Sequence, residues 1–114
     1  MSEWINICDE KSLKDGDIVG FEYHDNSNDK KKKKLLIVKI DGRIYATDGI
    51  CTHEYAELSN GFLNEEEKTV TCPLHLSVFD LVSGSPLNPP AGKPLKTYHV
   101  KVRTDGGVYV LLEP

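Results

Sequence analysis

This chain contains four Asp-Gly dipeptides, which constrain its fold more than any other feature of the sequence. The segments between turn residues are short runs rich in Val, Ile, Leu and Tyr, which are typical of β-strands. Two of the dipeptides, Asp41-Gly42 and Asp105-Gly106, each separate two such runs and predict tight hairpins. The predicted hairpin strands are residues 35–40 with 43–47, and residues 97–103 with 108–112.

The remaining strand-like runs complete an all-β interpretation. Residues 4–8 and 18–23 are expected to form an N-terminal pair of strands. In the second hairpin Tyr98, Val100 and Val102 alternate with polar residues, the two-residue period of a strand with one buried face. Residues 54–68 are expected to contain at most two helical turns. We therefore predict an all-β fold of antiparallel strands that close into a barrel or sandwich.

The pattern changes between about residues 48 and 92, where strand-like runs shorten and Gly, Pro, His and Cys concentrate. Residues 83–92 contain three prolines and two glycines, a composition that predicts a stiff loop without regular structure. A chain of 114 residues has the usual size of one domain. We expect a single domain, residues 1–114, with a small functional subdomain at about 48–92 set on the β body.

Composition and charge exclude several classes of protein. The formal net charge is -4, and residues 30–34 are five consecutive lysines, without which nine basic residues would face 18 acidic ones. An acidic body argues against nucleic-acid binding. The chain lacks a run of about 18 apolar residues, so a membrane span is not expected. Glu3 and Asn6 occupy positions where a signal peptide would be basic or apolar, and we expect a cytoplasmic protein.

Two short motifs carry the chemistry: Cys51-Thr52-His53 and Cys72-Pro73-Leu74-His75. Each offers one thiolate and one imidazole, so the two half-sites predict one shared metal site. A single zinc ion accepts such ligands, but a Cys and a His only two positions apart fit one tetrahedral ion poorly. A two-iron cluster removes this difficulty, because each loop can give its cysteine to one iron and its histidine to the other. Zinc, and a disulfide between the two cysteines, remain as alternatives.

The two motifs, with Phe79-Asp80 and Ser83-Gly84 after them, resemble the signature of Rieske iron-sulfur proteins, in which two histidines replace two cysteines on one iron. The resemblance is greatest to the Rieske ferredoxins of oxygenase systems and to their archaeal soluble relatives. It implies a Rieske fold with one 2Fe-2S cluster bound by Cys51, His53, Cys72 and His75. It also implies that the Pro-rich loop shields the cluster.

The resemblance further implies a low to intermediate reduction potential within the roughly -150 to +300 mV span of Rieske centres. High-potential relatives have two extra cysteines that cross-link the ligand loops, where this chain has Ala56 and Leu74. They also have a Ser and a Tyr that donate hydrogen bonds to sulfur. Here Ser77 is present and is expected to contact the cluster, but Phe79 replaces the Tyr.

By this resemblance the protein is expected to be an electron carrier between a reductase and an oxygenase or another redox protein, not an enzyme. A monomer is expected. Alternatives are a structural zinc-binding module and a clusterless Rieske-like subunit. A catalytic oxygenase would need a second iron site, for which His24 and His99 do not suffice. Cys8 is expected to be a core thiol. The lysine run is expected to be a solvated hairpin tip, with electrostatic steering of an acidic partner as the alternative.

Overall fold

A computed structural model of the protein describes residues 3–24, 32–52, 56–74, 76–88 and 92–112. These residues form ten β-strands and two single-turn 3-10 helices, Glu10–Ser12 and Leu58–Asn60. The strands, numbered in chain order, are β1 Glu3–Asp9, β2 Ile18–His24, β3 Lys32–Ile40, β4 Arg43–Asp48, β5 Phe62–Asn64, β6 Thr69–Thr71, β7 Val78–Asp80, β8 Thr97–Tyr98, β9 Val100–Val102 and β10 Gly107–Leu112. None of the described helices is long and apolar enough to span a membrane.

The strands form three sheets, and every strand pair is antiparallel. The orders of the strands are β1-β10-β9, β2-β3-β4-β8 and β5-β6-β7. The predicted all-β class is therefore confirmed. Both predicted hairpins are also present. At the Asp41-Gly42 turn both residues adopt positive φ, 50° and 79°, as a two-residue hairpin turn requires.

Strand β3 lies in the middle of the packing. Leu36, Val38 and Ile40 belong to one apolar cluster, which also contains Val70 of β6 and Phe79 of β7. The intervening Leu35 and Ile37 belong to a second cluster, which also contains Val110 of β10. A strand that is buried on both faces has a continuous apolar sequence without polar alternation. The four-stranded sheet is therefore sandwiched between the two three-stranded sheets.

The predicted pairing of the N-terminal strands is wrong. Strand β1 pairs with β10 near the other end of the chain, and β2 pairs with β3. The reason is burial: Ile5 and Ile7 of β1 pack on the second apolar cluster, to which Val110 of β10 contributes. Strands that are neighbours in the sequence were predicted to pair, but the hydrophobic core determines which strands pair.

The predicted strand 97–103 is correct only in part, because it divides at His99. Its first half, β8, pairs with β4, whereas its second half, β9, pairs with β10. Tyr98 is buried, but Val102 is 42% exposed, so the predicted single buried face does not extend to Val102. The chain thus changes sheets within one run of alternating residues.

Between residues 48 and 92 the structure contains three short strands that the sequence patterns did not resolve. Strands β5, β6 and β7 form a small antiparallel sheet of their own. The helical turn expected within residues 54–68 is present as the 3-10 helix Leu58–Asn60. The second cysteine motif lies in the loop between β6 and β7 of this small sheet, whereas the first follows β4.

Candidate functional site

The two motif cysteines lie in the same apolar cluster. Cys51 follows β4 and Cys72 directly follows β6. Their exposed fractions are 5% and 1%, and both pack in the cluster that contains Leu58 and Val70. Both are thiols in the structure, which describes every cysteine of the chain, and the alternative of a disulfide between them is not seen. Two buried sulfur atoms are thus contributed to one region by two separate loops.

The first loop is fixed to strand β3 by its backbone. The Gly49 N–H donates to the Lys34 carbonyl at 2.8 Å, and the Cys51 N–H donates to the Ala56 carbonyl at 3.0 Å. A Cβ atom at Gly49 would lie 3.0 Å from the carbonyl carbon of Leu35. Glycine at this position therefore allows the first loop to approach β3 closely.

The second loop is a tight turn between β6 and β7. At its base the Cys72 N–H donates to the Ser77 carbonyl at 2.7 Å, and the Leu76 N–H donates to the Cys72 carbonyl at 3.1 Å. Leu76 has φ 59°, a left-handed conformation that is uncommon for a residue other than glycine. The loop therefore needs contacts that hold it in this shape.

Ser77 has a buried hydroxyl group for which the described residues offer no partner. The residue is 0% exposed, and its Oγ atom makes no hydrogen bond within the described part of the chain. An unsatisfied buried hydroxyl costs about 1–3 kcal/mol, so such groups are rare and require an explanation. A bound group with acceptor atoms beside Cys72 would supply the missing partner.

The Pro-rich segment, residues 83–92, contacts the second loop through a side chain, and Lys93 directly after it contacts the first loop. Asn88 Nδ2 donates to the Leu76 carbonyl at 3.2 Å, and the Val78 N–H donates to Asn88 Oδ1 at 2.6 Å. From the first loop, Thr52 Oγ1 donates to the Lys93 carbonyl at 2.8 Å. Neither Thr52 nor Asn88 is predicted from the sequence to have a role at the site. Nothing in their local sequence separates them from ordinary loop residues, because the contacts span 41, 12 and 10 positions.

The two motif histidines, His53 and His75, lie outside the described residues. Consequently the described residues contain no group of three or more His, Cys, Asp or Glu side chains arranged to hold a metal ion. The residues on either side of His75 are described, and Leu74 and Leu76 are 52% and 58% exposed. This part of the second loop therefore reaches the surface, whereas Cys72 at its base is buried.

The other residues named from the sequence lie elsewhere. Cys8 is half-buried in β1 beside the second apolar cluster, and burial raises the pKa of its thiol. His99 is exposed. The expected solvated hairpin tip at residues 30–34 is wrong for Lys34, which lies within β3 and pairs with Glu57 at 3.0 Å, while residues 30 and 31 lie outside the described residues.

The described donors suit an iron-sulfur cluster. Two buried thiols supply the sulfur ligands that such clusters use. Ser77 supplies a buried hydroxyl that can donate to a cluster sulfur or to a cysteine sulfur. As expected from the sequence, residue 79 offers no second donor, because it is a Phe without a hydroxyl group, and it is fully buried in the apolar cluster.

Comparison with known proteins gives the same result. The family model described as Rieske [2Fe-2S] domain matches residues 3–99. The ferredoxin component of the naphthalene 1,2-dioxygenase/salicylate 5-hydroxylase systems of Ralstonia sp. is 37% identical over 99 residues, covering 87% of this chain and 86% of the relative. Sulredoxin of Sulfurisphaera tokodaii is 39% identical over 77 residues, covering 60% of this chain and 69% of the relative.

A solved structure shares the fold over almost the entire chain. It is the complex of reduced oxygenase and oxidized ferredoxin in carbazole 1,9a-dioxygenase, and the matching chain superposes with a TM-score of 0.79 at 29% identity. The match covers 94% of this chain and 91% of that chain. The two chains therefore share their size and the order of their secondary-structure elements, and not only a local motif.

Proposed function

This chain belongs to the Rieske 2Fe-2S domain family, and we propose that Cys51, His53, Cys72 and His75 hold its one 2Fe-2S cluster. The protein is an electron carrier and not an enzyme, as its relatives are the ferredoxin components of dioxygenase systems. When bound, the cluster takes up and releases one electron at a time. The observation that carries the ligand assignment is the burial of Cys51 and Cys72 in one apolar cluster. Beside them lies the Ser77 hydroxyl, which has no hydrogen-bond partner among the described residues.

The two kinds of ligand are assigned to different irons. Cys51 and His53 are only two positions apart and fit one tetrahedral ion poorly, so we assign both cysteines to one iron and both histidines to the other. The burial of Cys51 and Cys72 supports an inner position for the first iron. The exposure of Leu74 and Leu76 supports an outer position for the iron that His75 would ligate.

The surroundings of the sulfur atoms favour a low to intermediate potential. Hydrogen bonds to the sulfurs stabilise the reduced, more negative cluster and raise the potential. Ser77 is one candidate donor, whereas Phe79 offers an apolar ring in place of a phenol. We therefore propose a low to intermediate potential within the roughly -150 to +300 mV Rieske span.

The proposed partners are a reductase that donates the electron and an oxygenase that accepts it. The relatives are components of dioxygenase systems, and one solved relative is in complex with its oxygenase. We further propose that residues 1–114 act as one domain, as a monomer, in the cytoplasm. Leu74 and Leu76 would then lie at the contact with either partner, because they flank the proposed outer ligand.

The test of this function is chemical analysis of the purified protein, prepared anaerobically. About two irons and two labile sulfides per chain are expected, with the red-brown colour and the electron paramagnetic resonance spectrum of a mixed histidine and cysteine cluster. Reduction by a flavoprotein reductase and reoxidation by an oxygenase component are then followed in the visible spectrum. Colourless protein that binds zinc at these four side chains would contradict the proposal and favour a structural zinc module.

A further inference from the structure

The side chain of Asn88 makes two hydrogen bonds to the second ligand loop, one on each side of Ser77. Its Nδ2 atom donates to the carbonyl of Leu76 at 3.2 Å, and its Oδ1 atom accepts from the N–H of Val78 at 2.6 Å. The carboxamide thus spans the backbone of the three residues Leu76, Ser77 and Val78. Both of its polar atoms are used in this contact.

The spanned segment is one that needs external support. Leu76 is held at φ 59°, and its side chain is exposed, so packing of that side chain does not hold the backbone. Ser77 beside it is fully buried, and its hydroxyl has no partner among the described residues. The direction in which that hydroxyl points therefore depends on the backbone that Asn88 holds.

Attachment of the Pro-rich segment does not depend on Asn88. The Leu87 N–H donates to the Val78 carbonyl at 2.8 Å, and Pro86 forms a β-bridge with Phe79. The side chain of Asn88 is itself exposed, so it contributes little to the apolar core. Backbone contacts already anchor this segment, and the two hydrogen bonds of the Asn88 side chain additionally fix its position relative to the second ligand loop.

We propose that Asn88 is a positioning residue for the cluster, which fixes the Leu76–Val78 backbone so that the Ser77 hydroxyl donates to a cluster or cysteine sulfur. This inference rests on the proposed function. It predicts that Asn88 controls the reduction potential through Ser77 and not by contact with the cluster. Loss of a hydrogen bond to sulfur destabilises the reduced state, so the expected shift is toward more negative potential.

The test is a double-mutant cycle on the cluster-loaded protein, with the midpoint potential and the electron paramagnetic resonance g values as readouts. Asn88→Ala is expected to shift the midpoint in the same direction as Ser77→Ala. The double variant is expected to have the midpoint of Ser77→Ala alone, because Asn88 has no effect once the hydroxyl is absent. Asn64→Ala is the matched control, since Asn64 Oδ1 accepts from the Glu67 N–H in a turn of the β5–β6 hairpin, and it is expected to leave the midpoint unchanged.

Two results would overturn the inference: an Asn88→Ala midpoint equal to that of the wild type, or shifts of the two single variants that add in the double variant. Should Asn88→Ala lose its cluster, Asn88→Gln, which keeps an uncharged carboxamide on a longer stem, takes its place in the cycle. Loss of the cluster from both, with the cluster retained in Ser77→Ala, would also overturn the route through Ser77. A wild-type protein without iron and sulfide would instead contradict the proposed function itself.

Discussion

At the scale of single residues, the three cysteines of this chain differ in how deeply they are buried. Cys51 and Cys72 are almost completely buried in one apolar cluster, whereas Cys8 is half-buried beside the other. Two thiols from separate loops in one apolar cluster can ligate one shared metal group, whereas Cys8 lies beside the other apolar cluster. The two cysteines are therefore suited to ligate metal in a way that Cys8 is not.

Replacing either buried cysteine should remove the cluster. We expect Cys51→Ser and Cys72→Ser to lower iron and labile sulfide from about two per chain to near zero, because cluster binding depends on both thiolates. Cys8→Ser is the control and should retain the full iron content. Iron and sulfide analysis of the three variants, purified in parallel, checks this. Full iron content in Cys72→Ser would contradict the ligand assignment.

Gly84 occupies a backbone position that other residues cannot adopt without strain. Its φ is +80°, and a Cβ atom would lie 2.1 Å from the carbonyl oxygen of Leu95. We expect Gly84→Ala to destabilise the protein by about 2–4 kcal/mol, since both the conformation and the contact are unfavourable. Gly92→Ala is the control, because a Cβ there would meet nothing within 4 Å. Urea denaturation of both variants, followed by circular dichroism, measures the difference, and equal midpoints would contradict the prediction.

At the scale of elements, a side-chain hydrogen bond joins strands β4 and β8 beside the first ligand loop. Tyr98 of β8 donates its phenolic hydroxyl to the carboxylate of Asp48, the last residue of β4. The backbone adds a second link, because the Asp48 N–H donates to the Lys96 carbonyl at 2.9 Å. Since Cys51 follows three residues after Asp48, this contact fixes the point at which the first loop leaves the sheet.

This hydrogen bond should make stability depend on alkaline pH. Burial, and then the hydrogen bond to Asp48, raise the pKa of Tyr98 above its ordinary value of 10.0. The unfolded chain therefore loses this proton first, so the stabilisation is complete below about pH 10 and declines as the pH rises above it. Tyr98→Phe should cost about 1.5–3 kcal/mol at pH 7, because the Asp48 carboxylate loses its donor. The stability of Tyr98→Phe should also decline less above pH 10 than the stability of the wild type.

The measurement is the urea midpoint of wild type and Tyr98→Phe at pH 7, 9 and 11. Tyr109→Phe, which alters a half-buried tyrosine of β10, is the matched control and should keep the wild-type decline. An identical alkaline decline in wild type and Tyr98→Phe would mean that another group controls it.

At the scale of the whole molecule, the stability of the two apolar clusters depends to different extents on the iron-sulfur site. One contains Cys51 and Cys72 together with the residues of the small sheet, whereas the other is formed by the strands of the two larger sheets. Metal binding to ligands that are brought together only on folding contributes to the free energy of folding. The region around residues 48–92 should therefore depend most on the bound cluster.

Removal of the cluster should destabilise the protein unevenly. We expect the thermal midpoint of the apo protein to fall well below that of the loaded protein. Amide hydrogen exchange should accelerate most in β5, β6 and β7 and least in the β1-β10-β9 sheet, because the latter packs on the second apolar cluster. Exchange measured by mass spectrometry before and after removal of iron checks this. A uniform change across all three sheets would contradict it.

The charge distribution of the whole molecule is uneven, with an acidic body and the lysine run at residues 30–34. Replacing residues 30–33 by serine should leave the midpoint potential unchanged, because these residues lie outside the two proposed ligand loops and salt screens charges at a distance. A redox titration checks this, and a shift would contradict it. The transfer rate from the reductase at low salt then tests whether the run steers a partner: a decrease indicates steering, and no change indicates that the run has no such role.

The sequence by itself determined the all-β class, the central hairpin and the family of the protein. Alternating or continuous apolar runs and Asp-Gly turns act over a few residues, so the hairpin at Asp41-Gly42 could be predicted from local sequence. The Cys-x-His and Cys-x-x-His spacings likewise predict the Rieske family, which the match of the family model over residues 3–99 confirms. Cys51 and Cys72 were predicted as ligands on this basis, and that assignment remains a proposal.

Only the tertiary structure decided the features that depend on contacts between distant parts of the chain. The pairing of β1 with β10, the change of sheets at His99 and the burial of the Ser77 hydroxyl follow from the packing of whole sheets. The two hydrogen bonds of Asn88 also depend on how the Pro-rich loop folds back over the second ligand loop. Such contacts leave no local pattern, because the free energy of burial depends on which surfaces meet and not on their order in the chain.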